Sequence, residues 1–261
     1  MNKIKLQIKK IKSEKRLGLM THIVAGYPTL SESIKIIKSM EKVGADFVEI
    51  QIPFSDPMAD GPTIMKANQV ALDNGITVFD SFSLIKKISK HVTIPLIIMS
   101  YYNIVFNYGI EKFIKEAKKS GISGFIIPDL SFEEDEHEGF SKICEKSDLV
   151  NIRVLSPAST EERIEKNARL AHGMIYFMSR KGITGAQKEM NKELTKDLKR
   201  IKKITDIPIG VGIGISKPEH LKPLKEAKAQ IAIIGSAVIN EYNAKGVKGV
   251  ESFLEKIVKN L

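Results

Sequence analysis

The segment Asp46-Phe47-Val48-Glu49-Ile50-Gln51-Ile52-Pro53 decides how the chain is read. Successive side chains of a strand point to opposite faces, so Phe47, Glu49 and Gln51 share one face while Val48, Ile50 and Ile52 take the other. The aliphatic face suits packing against helices. Glu49 and Gln51 then point the opposite way, into whatever the sheet encloses.

Outward from this segment, apolar runs recur at 19–24, 46–50, 95–99, 124–127, 151–155, 174–178, 207–211 and 231–234. Amphipathic stretches lie between them. Residues 31–43 set Ile34, Ile37 and Met40 on one face and stop at Gly44. Further helical patterns cover 81–89, 111–120, 132–145, 160–170, 194–204, 218–227 and 247–261. Ile4, Ile8 and Ile11 predict a short extra N-terminal helix that lays its apolar stripe on the body of the protein. Eight strands, each followed by a helix, amount to an α/β fold of the (β/α)8 barrel type, here one domain over 1–261. A doubly wound sheet would need a glycine-rich fingerprint after its first strand, where only Ala25-Gly26-Tyr27-Pro28 stands.

Composition narrows the function. Hydrophobic residues at 43% and charged residues at 28% allow a full-sized core and exclude a disordered chain. The net charge of +10 invites a nucleic-acid reading, but residues 1–16 alone carry seven basic side chains against one acidic. The other lysines are interleaved with acids, as at Glu189, Glu193 and Asp197, and no aromatic platform accompanies them. A solvated lysine-rich surface is expected, with no nucleic acid as partner. The uncharged stretch 93–110 holds a proline, two asparagines, a serine and a glycine, too polar for a membrane span. Without a secretory pattern at the start, and with Cys144 as the single cysteine, a cytoplasmic location is expected. His22, His91, His137, His172 and His220 show no ligand spacing, so no metal site is expected. Cys144 falls in a predicted outer helix as a core residue, and Lys181 lacks the setting of a Schiff-base lysine.

Barrel chemistry belongs at the C-terminal ends of the strands. Glu49, pointing inward, costs several kcal/mol to keep charged without a partner, which suits an acid that also serves as a base. The alternative is a structural glutamate paired with an inward lysine or arginine. Asp60 follows eleven residues later in the proline-rich loop Phe54-Ser55-Asp56-Pro57-Met58-Ala59-Asp60-Gly61-Pro62, where it either faces the substrate or only bends the backbone. Gly182-Ile183-Thr184-Gly185, Gly212-Ile213-Gly214 and Gly235-Ser236 end the last three strands. They read either as helix starts or as a phosphate cradle, with Ser236 capping a short phosphate-binding helix after strand 8.

Glu49 and the run from Pro53 to Pro62 resemble the tryptophan synthase alpha chain family. The similarity continues through Ala25-Gly26-Tyr27-Pro28, Tyr101-Tyr102-Asn103, Pro128-Asp129-Leu130, Ser179-Arg180, Gly212-Ile213-Gly214-Ile215-Ser216 and Gly235-Ser236-Ala237. The resemblance implies a TIM barrel that cleaves indole-3-glycerol phosphate to indole and glyceraldehyde 3-phosphate, a retro-aldol lyase reaction of tryptophan biosynthesis. It implies no cofactor in this chain. The partner is a beta chain that carries pyridoxal phosphate, in an alpha-beta-beta-alpha heterotetramer. By the same resemblance Glu49 is the acid–base at indole C3, Asp60 binds the indole N–H, and Tyr176 lies near the reacting centre. Thr184, Gly185, Gly214, Gly235 and Ser236 hold the substrate and its phosphate. His22, Met99 and Ile213 line the pocket, and Pro53, Asp56 and Asn103 contact the partner. Glu49 in an apolar barrel and Asp60 in a polar loop would separate acid from base. Departures from the family pattern are Gln51 for glycine, His22 for phenylalanine, Ile213 for an aromatic residue and Ser131 for proline. Gln51 is expected to hydrogen-bond Glu49, lock it or crowd the substrate. Rival readings are another phosphate-binding barrel, such as a sugar-phosphate epimerase, or a catalytically weak subunit that mainly activates the beta chain.

Overall fold

The structure, a computed structural model, describes residues 1–178 and 187–261, and the side chains of these outside 187–191. Eight parallel strands close in sequence order: β1 Gly18–Val24, β2 Phe47–Gln51, β3 Leu96–Met99, β4 Gly124–Ile126, β5 Val150–Leu155, β6 Ile175–Met178, β7 Ile209–Gly212 and β8 Ile231–Ile234. β1 pairs with both β2 and β8, so the sheet has no free edge.

The two faces of each strand feed two cores. Val48, Ile50 and Ile52 join the layer between strands and helices, with Ile37, Met40, Ile85, Phe113, Phe125 and Leu254. Phe47 points inward with Met20, Ile97, Ile126, Ile152 and Met174. The helix Lys3–Ser13 closes the N-terminal end of the barrel, its Ile4 and Ile11 packed into this inner core. Asn2 anchors it by donating to the Ser123 and Asp148 carbonyls at 2.8 and 2.7 Å. Behind it, Arg16 holds both oxygens of Asp46, at 2.7 and 2.6 Å.

Every expected strand is present within two residues of its predicted bounds. Several helices differ. The pattern over 132–145 is two helices, Phe132–Glu138 and Phe140–Lys146, because Gly139 adopts a left-handed φ of 71° between them. The segment Pro62–Asp73 is helical, with Pro62 opening it where a missing N–H costs nothing. Tyr102–Tyr108 is also helical. After β8 a helical segment runs Ser236–Val258, broken at Gly246, so residues 236–245 form the short helix and 247–258 the terminal one. Cys144 is buried in an outer helix, where burial pushes its thiol well up, as a core residue rather than a nucleophile. No helix among the described residues is long and apolar enough to cross a membrane.

A buried polar cluster joins β5 to the helices outside it. Arg153 donates to Asp135 at 2.8 Å, to Asn167 at 2.8 Å and to the Leu130 carbonyl at 2.9 Å. Asp135 also accepts from Ser141 Oγ at 2.6 Å. Burial lowers the Arg153 guanidinium, and Asp135 opposes that shift. Removing one ion of such a pair strands the other, so Asp135→Ala is expected to cost about 3–5 kcal/mol in urea unfolding, with Arg153 left uncompensated.

Candidate active site

At the C-terminal ends of the strands lies a cavity of about 160 Å³. Its wall includes His22, Glu49, Asp60, Met99, Tyr176, Gly212, Gly214, Gly235 and Ser236, with aliphatic cover from Ile64, Ile126, Val154 and Ile233. All eight strands and the loop after β2 therefore converge on one space.

Glu49 sits in the middle of β2 and is 4% exposed. Its partner is neither lysine nor arginine. His22, in register with it on β1, brings Nδ1 to 3.2 Å from Glu49 Oε1. Burial opposes charge on this imidazole, but the Glu49 carboxylate, with smaller contributions from Asp60 and the Gln51 amide, lifts it above its ordinary value.

Asp60 is held by the loop that bends back over β2. Gln51 Nε2 donates to its Oδ2 at 2.7 Å and Tyr101 Oη donates to the same oxygen at 3.1 Å. Tyr101 accepts from the Ala59 amide at 3.0 Å, and stacks on Phe54 with centroids 5.1 Å apart. Asn68 accepts from the Phe54 amide at 3.0 Å and from Gln51 at 3.4 Å. Gln51 thus ties down Asp60, not Glu49 as the sequence suggested: its amide nitrogen is committed to the loop. The loop also proves less watery than its composition implies. Burial is the largest influence on the Asp60 carboxyl and raises it, against the Gln51 and Tyr101 hydrogen bonds and the His22 charge.

Tyr176 enters from β6, its phenol pushed well up by burial and by the negative charges of Glu49 and Asp60. A Cβ at Gly212 would lie 2.8 Å from Tyr176 Oη, so only glycine leaves the phenol its place. Gly214 has φ of 73°, a backbone that L side chains avoid. Ser236 does not cap the helix after β8; Gly235 holds the N-cap position and Ser236 is the first helical residue. That helix start, with its free N–H groups and positive dipole end, faces the cavity at Gly235 and Ser236.

Ile213 does not line the cavity. It follows inward Gly212, so alternation turns it into the outer core, where it is 3% exposed. Pro53 is buried, whereas Asp56 and Asn103 are exposed. Lys181, Thr184 and Gly185 lie outside the described residues. Tyr101 and Asn68 join the site without a sequence expectation; Tyr101 stands two residues beyond the apolar run of β3, a legible signal, while Asn68 carries none. No cluster of three potential metal ligands occurs among the described residues.

Comparison with known proteins identifies the family. The model of the family described as tryptophan synthase alpha chain matches residues 8–260. A tryptophan synthase alpha chain from Syntrophotalea carbinolica is 40% identical over 94% of this chain and 96% of its own length. One from Petrotoga mobilis is 42% identical over 85% of each. Among solved structures, tryptophan synthase subunit alpha from Legionella pneumophila superposes with a TM-score of 0.90 at 31% identity, covering 100% of this chain and 98% of that one.

The raised Asp60 carboxyl has a consequence for stability. A folded-state value above the ordinary one makes the charged form a cost at pH above that value, and no cost below the ordinary aspartate range. Asp60→Asn keeps an oxygen for Gln51 and Tyr101 and removes the charge. Its melting temperature at pH 7–8 is therefore expected to exceed that of the unaltered chain by roughly 1–3 °C, a gain that fades as pH falls toward about 4.

Proposed function

The chain belongs to the tryptophan synthase alpha chain family, and we propose that the cavity ringed by Glu49, Asp60 and Tyr176 is where it performs that family's lyase reaction. The reaction is cleavage of indole-3-glycerol phosphate to indole and glyceraldehyde 3-phosphate in tryptophan biosynthesis. The single observation that carries the site assignment is the convergence of one buried acid, one loop carboxyl and one glycine-lined helix start on the same space.

The chemistry asks for those groups. A proton added at indole C3 draws the ring's C2–C3 electron pair into the new C–H bond and leaves positive charge at the ring nitrogen. Loss of the side-chain hydroxyl proton turns that oxygen into the carbonyl of the aldehyde. The breaking C–C bond returns its electron pair to the ring and neutralises the nitrogen. Glu49 gives the first proton and takes back the second, so it ends unchanged. Asp60 accepts a hydrogen bond from the ring N–H and offsets the transient charge, which grows in the transition state. Tyr176 bounds the reacting centre. Gly214, Gly235 and Ser236, with Thr184 and Gly185 by resemblance, hold the phosphate, whose charge suits the helix N-terminus. Met99 and His22 complete the wall. No step calls for a cofactor in this chain.

The family implies a beta chain as partner. We place the partner face at this same end of the barrel, around Asp56 and Asn103. Met58 in the loop after β2 and Phe106 in the helix after β3 support it, at 86% and 57% exposed. Pyridoxal phosphate belongs to the beta chain, the assembly is an alpha-beta-beta-alpha heterotetramer, and the compartment is the cytoplasm.

Indole release from indole-3-glycerol phosphate is expected to be slow for the isolated chain and to rise strongly with a beta chain added. Glu49→Gln is expected to lose about 10²–10⁴-fold in turnover while keeping its unfolding midpoint. Near-full turnover in that variant would remove Glu49 from the reaction. Activation of the beta chain by an alpha chain that releases no indole would instead identify an activator.

A further inference from the structure

Three polar atoms buried at or beside the cavity have no hydrogen-bond partner among the described residues: His22 Nε2, Glu49 Oε2 and Gln51 Oε1. A buried unsatisfied polar atom costs about 1–3 kcal/mol, so such atoms gathered at one place call for a reason other than folding. Their side chains are neighbours. His22 and Glu49 are paired in register on adjacent strands, and Gln51 lies two residues further along the same face of β2. Gln51 is already committed to Asp60 through its nitrogen. Among the described residues His22 and Glu49 meet in one contact of 3.2 Å, the Gln51 amide adds a smaller polar influence on the imidazole, and Glu49 Oε2 is left without a partner.

We propose that His22 and Glu49 hold one proton between them as a unit, with His22 as the positioning residue that keeps Glu49 loaded for its transfer to the indole ring. The inference rests on the cleavage reaction proposed above. The two forms of the singly protonated pair, imidazolium with carboxylate and imidazole with carboxylic acid, carry the same net charge. Moving the proton between them therefore needs no compensating ion. When Glu49 gives its proton to C3, the pair has lost one proton; when it takes the hydroxyl proton, the pair is restored. No proton enters from solvent during the bond-breaking step.

The groups facing His22 allow its role to be read. Glu49 faces it from β2 and Asp60 from the loop after β2, both favouring imidazolium. Tyr176 is the remaining ionisable side chain of the cavity wall among the described residues, and no lysine or arginine joins it there. From β8 comes Gly235, where a Cβ would lie 3.5 Å from His22 Cβ, so the positive end of the following helix opposes the imidazolium. With the carboxylates together outweighing burial, the His22 imidazole holds its proton to a pH above the ordinary histidine range. The basic limb of the rate profile then reports the loss of that proton.

The test has two parts, both on the full-length chain. First, the pH profile of indole release is compared among the unaltered protein, His22→Phe and His22→Gln, with a beta chain present. Both variants are expected to move the basic limb at least one pH unit toward acid and to lose about tenfold or more in turnover above pH 8. A residue that merely filled space would change rate or KM and leave the limb in place. Second, the ¹⁵N signals of His22 in the free protein are followed through a pH titration. The midpoint is expected above the ordinary histidine value and is expected to drop in Glu49→Gln. A midpoint indifferent to Glu49, or an unmoved limb in variants that still release indole, overturns the pair. An unaltered protein that releases no indole overturns the reaction itself, and with it the catalytic role, while the titration still decides whether the proton is shared.

Discussion

Alternation of side chains along strands that close on themselves is the constraint on which this molecule depends. With β1 bonded to both β2 and β8, no strand can slip by one residue without exchanging the inner and outer faces around it. The aliphatic set Val48, Ile50 and Ile52 therefore pins Glu49 and Gln51 to the interior. Burying those polar groups opposes folding, and two large apolar cores offset it.

Once inside, the polar groups sort into two sets. Gln51, Asn68 and Tyr101 organise Asp60 through a chain of hydrogen bonds that ties β2, β3 and the loop together. Among the described residues Glu49 has only His22. One carboxyl is thus fixed in place by neutral donors, while the other shares its cavity with a titratable ring. That difference in surroundings suits one carboxyl to standing still beside a charge and the other to giving and receiving a proton.

The sequence made the scaffold legible because each strand announces itself through composition and each connection through helical periodicity. Glu49 and Asp60 were legible for a related reason: a carboxyl on an inward face and another in a stiff loop are conspicuous against their neighbours. What escaped was whatever depends on the third dimension. Alternation applied to Gly212 and Gly214 already places Ile213 outward, yet the resemblance had put it in the pocket. The sequence suggests Gln51 as a partner for Glu49, two residues away, but the returning loop brings Asp60 to its amide nitrogen. Gly139 interrupts what periodicity reads as one continuous helix, because an amphipathic pattern carries through a single left-handed residue. His22 became meaningful only when the register set it beside Glu49.

The central claim is that the acid on β2, the carboxyl on the loop and the helix start after β8 receive one substrate together. A crystal structure of the Glu49→Gln chain soaked with indole-3-glycerol phosphate tests it most directly. The phosphate is expected against the backbone of Gly214, Gly235 and Ser236, and the indole nitrogen within hydrogen-bond distance of Asp60. Phosphate bound elsewhere, or an indole ring turned away from Asp60, would contradict it.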